Sequence, residues 1–158
     1  MSADKKILIV TEGSSDSFII KHSINSLYPD IADFFEFVDM EKNYPFTGVG
    51  NLYNFFLGLV RIKVQNKVII IFDNDVAGNE KYNLASKIRK PENITVIKLP
   101  YDQDFEKVET IGPSGNSIEN INGRAVAIEC FLDFISVNRV PTIRWTSYSK
   151  REKNIKEN

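Results

Sequence analysis

The stretch VIIIFDNDVAG, Val68 to Gly78, runs five apolar residues straight into Asp73-Asn74-Asp75 and reaches Gly78 three residues later. A continuous apolar run of this kind reads as a strand buried on both faces, the habit of strands in parallel sheets covered by helices. Side chains two apart in a strand share a face, so Asp73 and Asp75 are expected to project together from its carboxyl end. Two carboxylates that close repel each other, and a hard divalent cation is their natural compensation at neutral pH. Gly78 permits close approach of backbone or phosphate at the turn into the next helix. By composition alone, D-x-D-x-x-G arises in roughly a few per cent of chains this long, so its surroundings decide its meaning. Caps for the following helix are the bland reading. Two acids at the end of five buried positions favour a site instead.

On the N-terminal side, KKILIVTEG is a second β-branched run, closed by Glu12 and Gly13, and it forms the first strand. Ser14, Ser15 and Asp16 can cap a helix in which Phe18, Ile19, Ile20, Ile24 and Leu27 fall at helical spacing, until Tyr28-Pro29 ends it. FFEFVDM, 34–40, alternates weakly as a strand and leads into the loop EKNYPFTGVGN. Leu52, Phe55, Phe56, Leu59 and Val60 mark one face of a second helix. The strand at 68–72 is the most apolar and belongs at the sheet centre, NEKYNLASKIRK is a polar helix stopped by Pro91, and NITVIKL is a further strand ended by Pro100. Strand and helix patterns alternate four times, which predicts a three-layer, Rossmann-like α/β domain with a central, mainly parallel sheet of about four strands.

Beyond Pro100 the pattern weakens. Residues 101–124 read as a long loop at the sheet edge, AVAIECFLDFI (125–135) as a helix packed on the sheet, and 140–158 as a short strand with a charged tail. The division expected is one domain over 1–139, its core at 5–100 and its extension carrying the 125–135 helix. No internal repeat is present.

The 158 residues are 42% hydrophobic, which suits one compact domain. Lys and Arg number 20 against 21 Asp and Glu, so no global field would hold a polyanion, and a nucleic-acid partner would need local basic patches or a neighbouring chain. The single Cys130 excludes an internal disulfide, and MSADKKILIV is too short in its apolar run for a signal sequence, so the expected location is cytoplasmic. No apolar run approaches the roughly 18 residues of a membrane span. Oligomeric state is not legible.

ILIVTEGSSD, FTGVGN and VIIIFDNDVAG stand in the order and spacing of the Toprim domain, which the chain resembles over about residues 5 to 100. That domain occurs in topoisomerases, bacterial primases, maturase-type ribonucleases and nucleases related to the overcoming-lysogenization-defect proteins. The resemblance implies Mg²⁺, with Mn²⁺ as a substitute, and phosphoryl transfer on DNA or RNA, by cleavage or by nucleotidyl transfer. By position it gives catalytic and metal-binding roles to Glu12, Asp73 and Asp75, and a further ligand role to Asp16. The segment ETIGPSGNSIENINGRAVAIECFL resembles the region C-terminal to the Toprim core in bacterial proteins that pair Toprim with HEPN domains. There a glutamate of the last helix is another ligand, which points to Glu129, with Glu119 behind it. No HEPN-length segment is present in the 158 residues, so the resemblance implies action alone, as a piece of a longer protein, or with a partner protein in trans, in a bacterial mobile-element or phage-defence setting.

Competing readings are weaker. An EF-hand loop counted from Asp73 would place Ala77 at its fifth position and Leu84 where the bidentate glutamate belongs. A haloacid-dehalogenase-like phosphatase also uses an apolar run and D-x-D, but on its first strand, and its later Lys and paired-Asp motifs are missing. A non-catalytic module that binds a partner protein or nucleic acid is the main alternative, since no basic channel and no lysine donor stand out. His22 is the single histidine and has no second one for a metal or relay. Cys130 reads as a small buried thiol, Trp145 and YNFF as core, and Lys81, Lys87, Arg89 and Lys90 as a solvated helix face.

Overall fold

The computed structural model describes residues 6–38, 48–132 and 142–145. In chain order, β1 (Ile7–Val10) leads into α1 (Ser14–Leu27) and the single turn α2 (Pro29–Ala32), then β2 (Phe35–Phe37) and α3 (Val49–Arg61). There follow β3 (Val68–Phe72), the two-residue β4 (Asn74–Asp75), α4 (Val76–Ser86) and β5 (Ile94–Lys98). Four of these strands form an all-parallel sheet in the order β2-β1-β3-β5, so the most apolar strand is internal, as its composition requires.

Period-two geometry divides β3 between two layers. Val68, Ile70 and Phe72 are buried against Leu52, Phe56 and Leu59 of α3 and Ala85 of α4, with Val10 and Ile94 from the flanking strands. Leu52, Phe56 and Leu59 recur at helical spacing, which gives α3 a continuous apolar stripe. The other face carries Phe37, Ile9 and Ile69, which are register neighbours across β2, β1 and β3. Because the chain steps from β1 to β2 and then back across β1 to β3, right-handed crossovers put α1 on this second face, opposite α3 and α4. The result is a three-layer, Rossmann-like α/β arrangement. On α1 the buried positions are Asp16 and Ser17, while Phe18 and Leu27 are each 70% exposed. Its first turn is anchored by the Thr11 and Ser17 hydroxyls, 2.8 Å apart and buried.

The region after Pro100 departs from expectation. Residues 101–124 do not form a long loop: β6 (Val108–Gly112) and β7 (Gly115–Glu119) make an antiparallel hairpin. Its turn at Pro113-Ser114 ends on Gly115, whose φ of 103° suits a residue without Cβ. Val108 and Thr110 face inward and Glu109 outward, a short alternation hidden among polar residues. The expected helix over 125–135 is also corrected within the described residues. Ala125–Val126 form β8, paired antiparallel with β4, and Ile128–Phe131 make only a 3₁₀ turn. The backbone of Asn74–Asp75, continuing beyond β3, offers hydrogen-bonding groups to a neighbouring strand, and that pairing overrides the helical pattern. Ile143–Arg144 form β9 beside β6, in line with the short strand expected there. Most of the loop at 41–51, the end of the 125–135 segment and the tail lie outside the described residues. Among the described residues, no helix is long and apolar enough to cross a membrane.

Candidate functional site

In open α/β sheets, ligands bind where successive crossovers leave in opposite directions, because the carboxyl ends of the strands diverge there into a crevice. The order β2-β1-β3-β5 puts that point between β1 and β3. Glu12 lies two residues beyond β1 and Asp73 directly beyond β3. They meet across the crevice: Glu12 Oε1 accepts a hydrogen bond from the Asp73 backbone N–H at 3.3 Å, although 61 residues separate them. The Gly48 N–H donates to the Glu12 carbonyl at 2.9 Å, which brings the start of α3 to the same edge. The positive ends of α1, α3 and α4 therefore all face the crevice.

The two carboxyls are strongly perturbed. Burial pushes Glu12 up to about 7, aided by the charges of Asp75 and Asp16 and opposed by its bond to the Asp73 N–H. Burial pushes Asp73 up to about 8, followed by repulsion from Glu12, Asp16, Asp75 and Glu129. Burial also raises Asp16, against its bond to the Gly13 N–H, with Glu129 adding repulsion. Glu12, Asp16 and Asp73 thus each lie in the field of neighbouring acids.

Their side chains are nevertheless engaged separately. Asp75 Oδ1 accepts from the Gly78 N–H at 2.6 Å and caps α4. Asp16, in the first turn of α1, reaches back to the Gly13 N–H at 3.0 Å and accepts from the Ser15 hydroxyl at 3.3 Å. Glu129 stands on the exposed 3₁₀ turn after β8, near α1. Glu119 lies elsewhere, on β7, where it binds Arg124 at 2.7 Å and Ser117 at 2.7 Å, and these partners hold its carboxyl below the usual range. Among the described residues, no three acidic, histidine or cysteine side chains converge closely enough, as they stand, to grip one ion. The electrostatic coupling and this spacing point different ways. Coupling reports that Glu12, Asp16 and Asp73 lie in the field of other acids, and the spacing reflects the local backbone N–H groups that engage Asp16 and Asp75.

Gly78 packs against the acidic turn. A Cβ built there would lie 2.3 Å from the Asp73 carbonyl oxygen and 3.0 Å from Asp75 Oδ1. The glycine therefore lets α4 start directly beneath the turn that presents both aspartates. His22 is remote from this edge in its contacts and stacks on Phe18 with ring centroids 6.0 Å apart. Cys130 is half-buried, and burial pushes its thiol up, which does not favour a nucleophile.

Sequence reasoning missed the amide residue between the aspartates. Asn74 is 3% exposed, donates to the Pro100 carbonyl at 3.3 Å and accepts from Asn79 Nδ2 at 3.1 Å and Lys98 Nζ at 3.4 Å. Asn79 also donates to the Asp75 carbonyl at 2.7 Å. The signal lay in position: Lys98 is the last residue of the strand beside β3, so its side chain starts at the same carboxyl edge. Comparison of the chain with family models, with curated proteins and with solved structures returns no match.

Proposed function

We propose that this chain carries out Mg²⁺-dependent phosphodiester chemistry on DNA or RNA, in the manner of the Toprim nucleases that its motifs resemble. The observation that supports it most is the Glu12–Asp73 pair at the β1/β3 crevice, two acids held together by strand pairing and driven toward neutrality by burial and mutual repulsion. Such an arrangement stores unfavourable electrostatics that a bound cation would relieve. The donors are all carboxylate oxygens, the type that Mg²⁺ and Mn²⁺ take. Asp73 and Asp75 would hold the ion, with Glu12 either a third ligand or the base that takes a proton from the attacking water, and Asp16 and Glu129 in reserve for a second. Bound there, the cation would supply Lewis-acid polarisation of a phosphate and a more acidic water. The inward-facing ends of three helices add partial positive charge toward a phosphate.

The test is cleavage of supercoiled plasmid and of structured RNA with Mg²⁺ or Mn²⁺, by the native chain and by Asp73→Ala. Metal-dependent cleavage that the variant lacks supports the reading. If both proteins are equally inert, the second reading gains: a non-catalytic module that binds nucleic acid or a partner protein. It is favoured by the capping bonds of Asp75 and Asp16, which give those acids a structural use without any metal.

A further inference from the structure

On the other side of the acidic turn lies a cleft of about 340 Å³, lined by Asn74, Lys98, Tyr101, Asn120, Asn122 and Gly123, among others. Backbone alternation explains its place: Asn74 points away from Asp73 and Asp75, so its amide enters the floor of the cleft while the acids face the crevice. One peptide unit separates the two. Lys98 stands on the wall, its ammonium donating to the side-chain oxygens of Asn79 and Asn74 and lying 5.8 Å from the centre of the Tyr82 ring. These partners are neutral. Among the described residues Lys98 has no acid within ion-pair distance, so a positioned positive charge faces the opening without local compensation. Tyr101 is 58% exposed, and its hydroxyl donates to Glu106. Asn122 bonds the backbone N–H and carbonyl of Asp102 at 3.0 and 2.8 Å, which fixes the far wall.

We infer that this cleft binds one nucleotide of a single-stranded nucleic acid, with Lys98 on a phosphate and the Tyr101 ring stacked on the base. Each part matches what such a strand presents: a phosphate charge for a cation and a π face for an aromatic ring. The inference deepens the phosphodiester reading, on which it rests for the identity of the polymer, by placing a flanking nucleotide one peptide unit from the acids. Lys98 and Tyr101 act here as binding residues.

The experiment is fluorescence anisotropy of the full chain with a 5′-labelled single-stranded oligonucleotide in EDTA, over a series of salt concentrations. Expected results are binding by the native chain, roughly tenfold weaker binding by Tyr101→Ala, and near-native binding by Tyr101→Phe, which keeps the ring. Lys98→Ala should weaken binding and lower the slope of log affinity against log salt by about one. Absence of native binding, or unchanged affinity and slope in Tyr101→Ala and Lys98→Ala, overturns the inference. A nucleoside monophosphate that binds more tightly than the oligonucleotide also overturns it, in favour of a mononucleotide pocket. Because EDTA removes metal and anisotropy reads binding alone, these results are independent of the cleavage assay. Ring-dependent binding without cleavage would keep the cleft and sink only the nuclease reading.

Discussion

The acids at the strand ends and the acids at the helix starts are the same chemical groups in different circumstances. Glu12 and Asp73 follow β1 and β3, where burial and mutual repulsion outweigh the single long backbone bond between them. Asp75 and Asp16 sit at the beginnings of α4 and α1, each accepting a backbone N–H at 2.6 and 3.0 Å. A helix start gives a carboxylate a partner by default, whereas a strand end in a parallel sheet gives it a neighbour of the same sign. The first pair therefore carries most of the electrostatic strain, Asp16 shares some of it through its burial, and Asp75 is engaged as the cap of α4.

Substitution at Asp73 should separate the pairs most widely. Asp73→Asn keeps size and removes charge, and its cleavage rate is expected to fall on the order of 10²–10³-fold, the scale of losing one preorganised electrostatic contact. Single-turnover cleavage measures this, and a rate within a few-fold of native would erase the distinction between strand-end and helix-start acids. Gly78→Ala should come next. Its new methyl meets the Asp73 carbonyl at 2.3 Å, so the turn or the helix must shift. The expected loss is about 3 kcal/mol, the upper end of overpacking penalties, read by urea denaturation.

The largest protonation shifts belong to Glu12 and Asp73. Glu12 and Asp73 ionise at higher pH folded than unfolded, so the folded chain holds extra protons from about pH 4 to pH 8 and loses stability as pH rises through that window. Thermal melts in EDTA should show the midpoint falling across this range. Mg²⁺ should raise the midpoint at pH 8 more than at pH 5, and Asp73→Asn should flatten the dependence. The smallest effects belong to the helix starts. Asp75→Ala is expected to cost about 1 kcal/mol and Asp75→Asn only a few tenths, since an amide oxygen also accepts from the Gly78 N–H. Cleavage should nevertheless fall sharply in Asp75→Asn, since the proposal makes Asp75 a metal ligand; native-level cleavage would leave Asp75 only the cap.

These differences explain what the sequence disclosed. β1, α3 and β3 were readable because burial writes itself into apolar spacing: Leu52, Phe56 and Leu59 on the helix, and Val68, Ile70 and Phe72 on the strand. The internal place of the strand at 68–72 was readable from its composition, whereas the order β2-β1-β3-β5, which sets Glu12 beside Asp73, was not. The hairpin at 108–119 was not readable, because most of its outward positions are polar and only Val108 and Thr110 mark the inner face at its start. The 125–135 segment misled for a different reason: its apolar residues suit a helix, but Ala125 and Val126 pair with Asp75 and Asn74, a partner far away in sequence. Lys98 and Tyr101 flank Pro100 at a strand end, and only the tertiary arrangement shows that they border one cleft.

Pairing of β1 with β3 sets Leu8 beside Val68, closing a loop of about 60 residues. Glu12 and Asp73 acquire each other only when that closure is complete, so neither a nascent chain lacking β3 nor a fragment lacking β1 displays the acidic crevice. The charge cluster is a property of the finished sheet, withheld throughout synthesis until the last of its two carriers arrives.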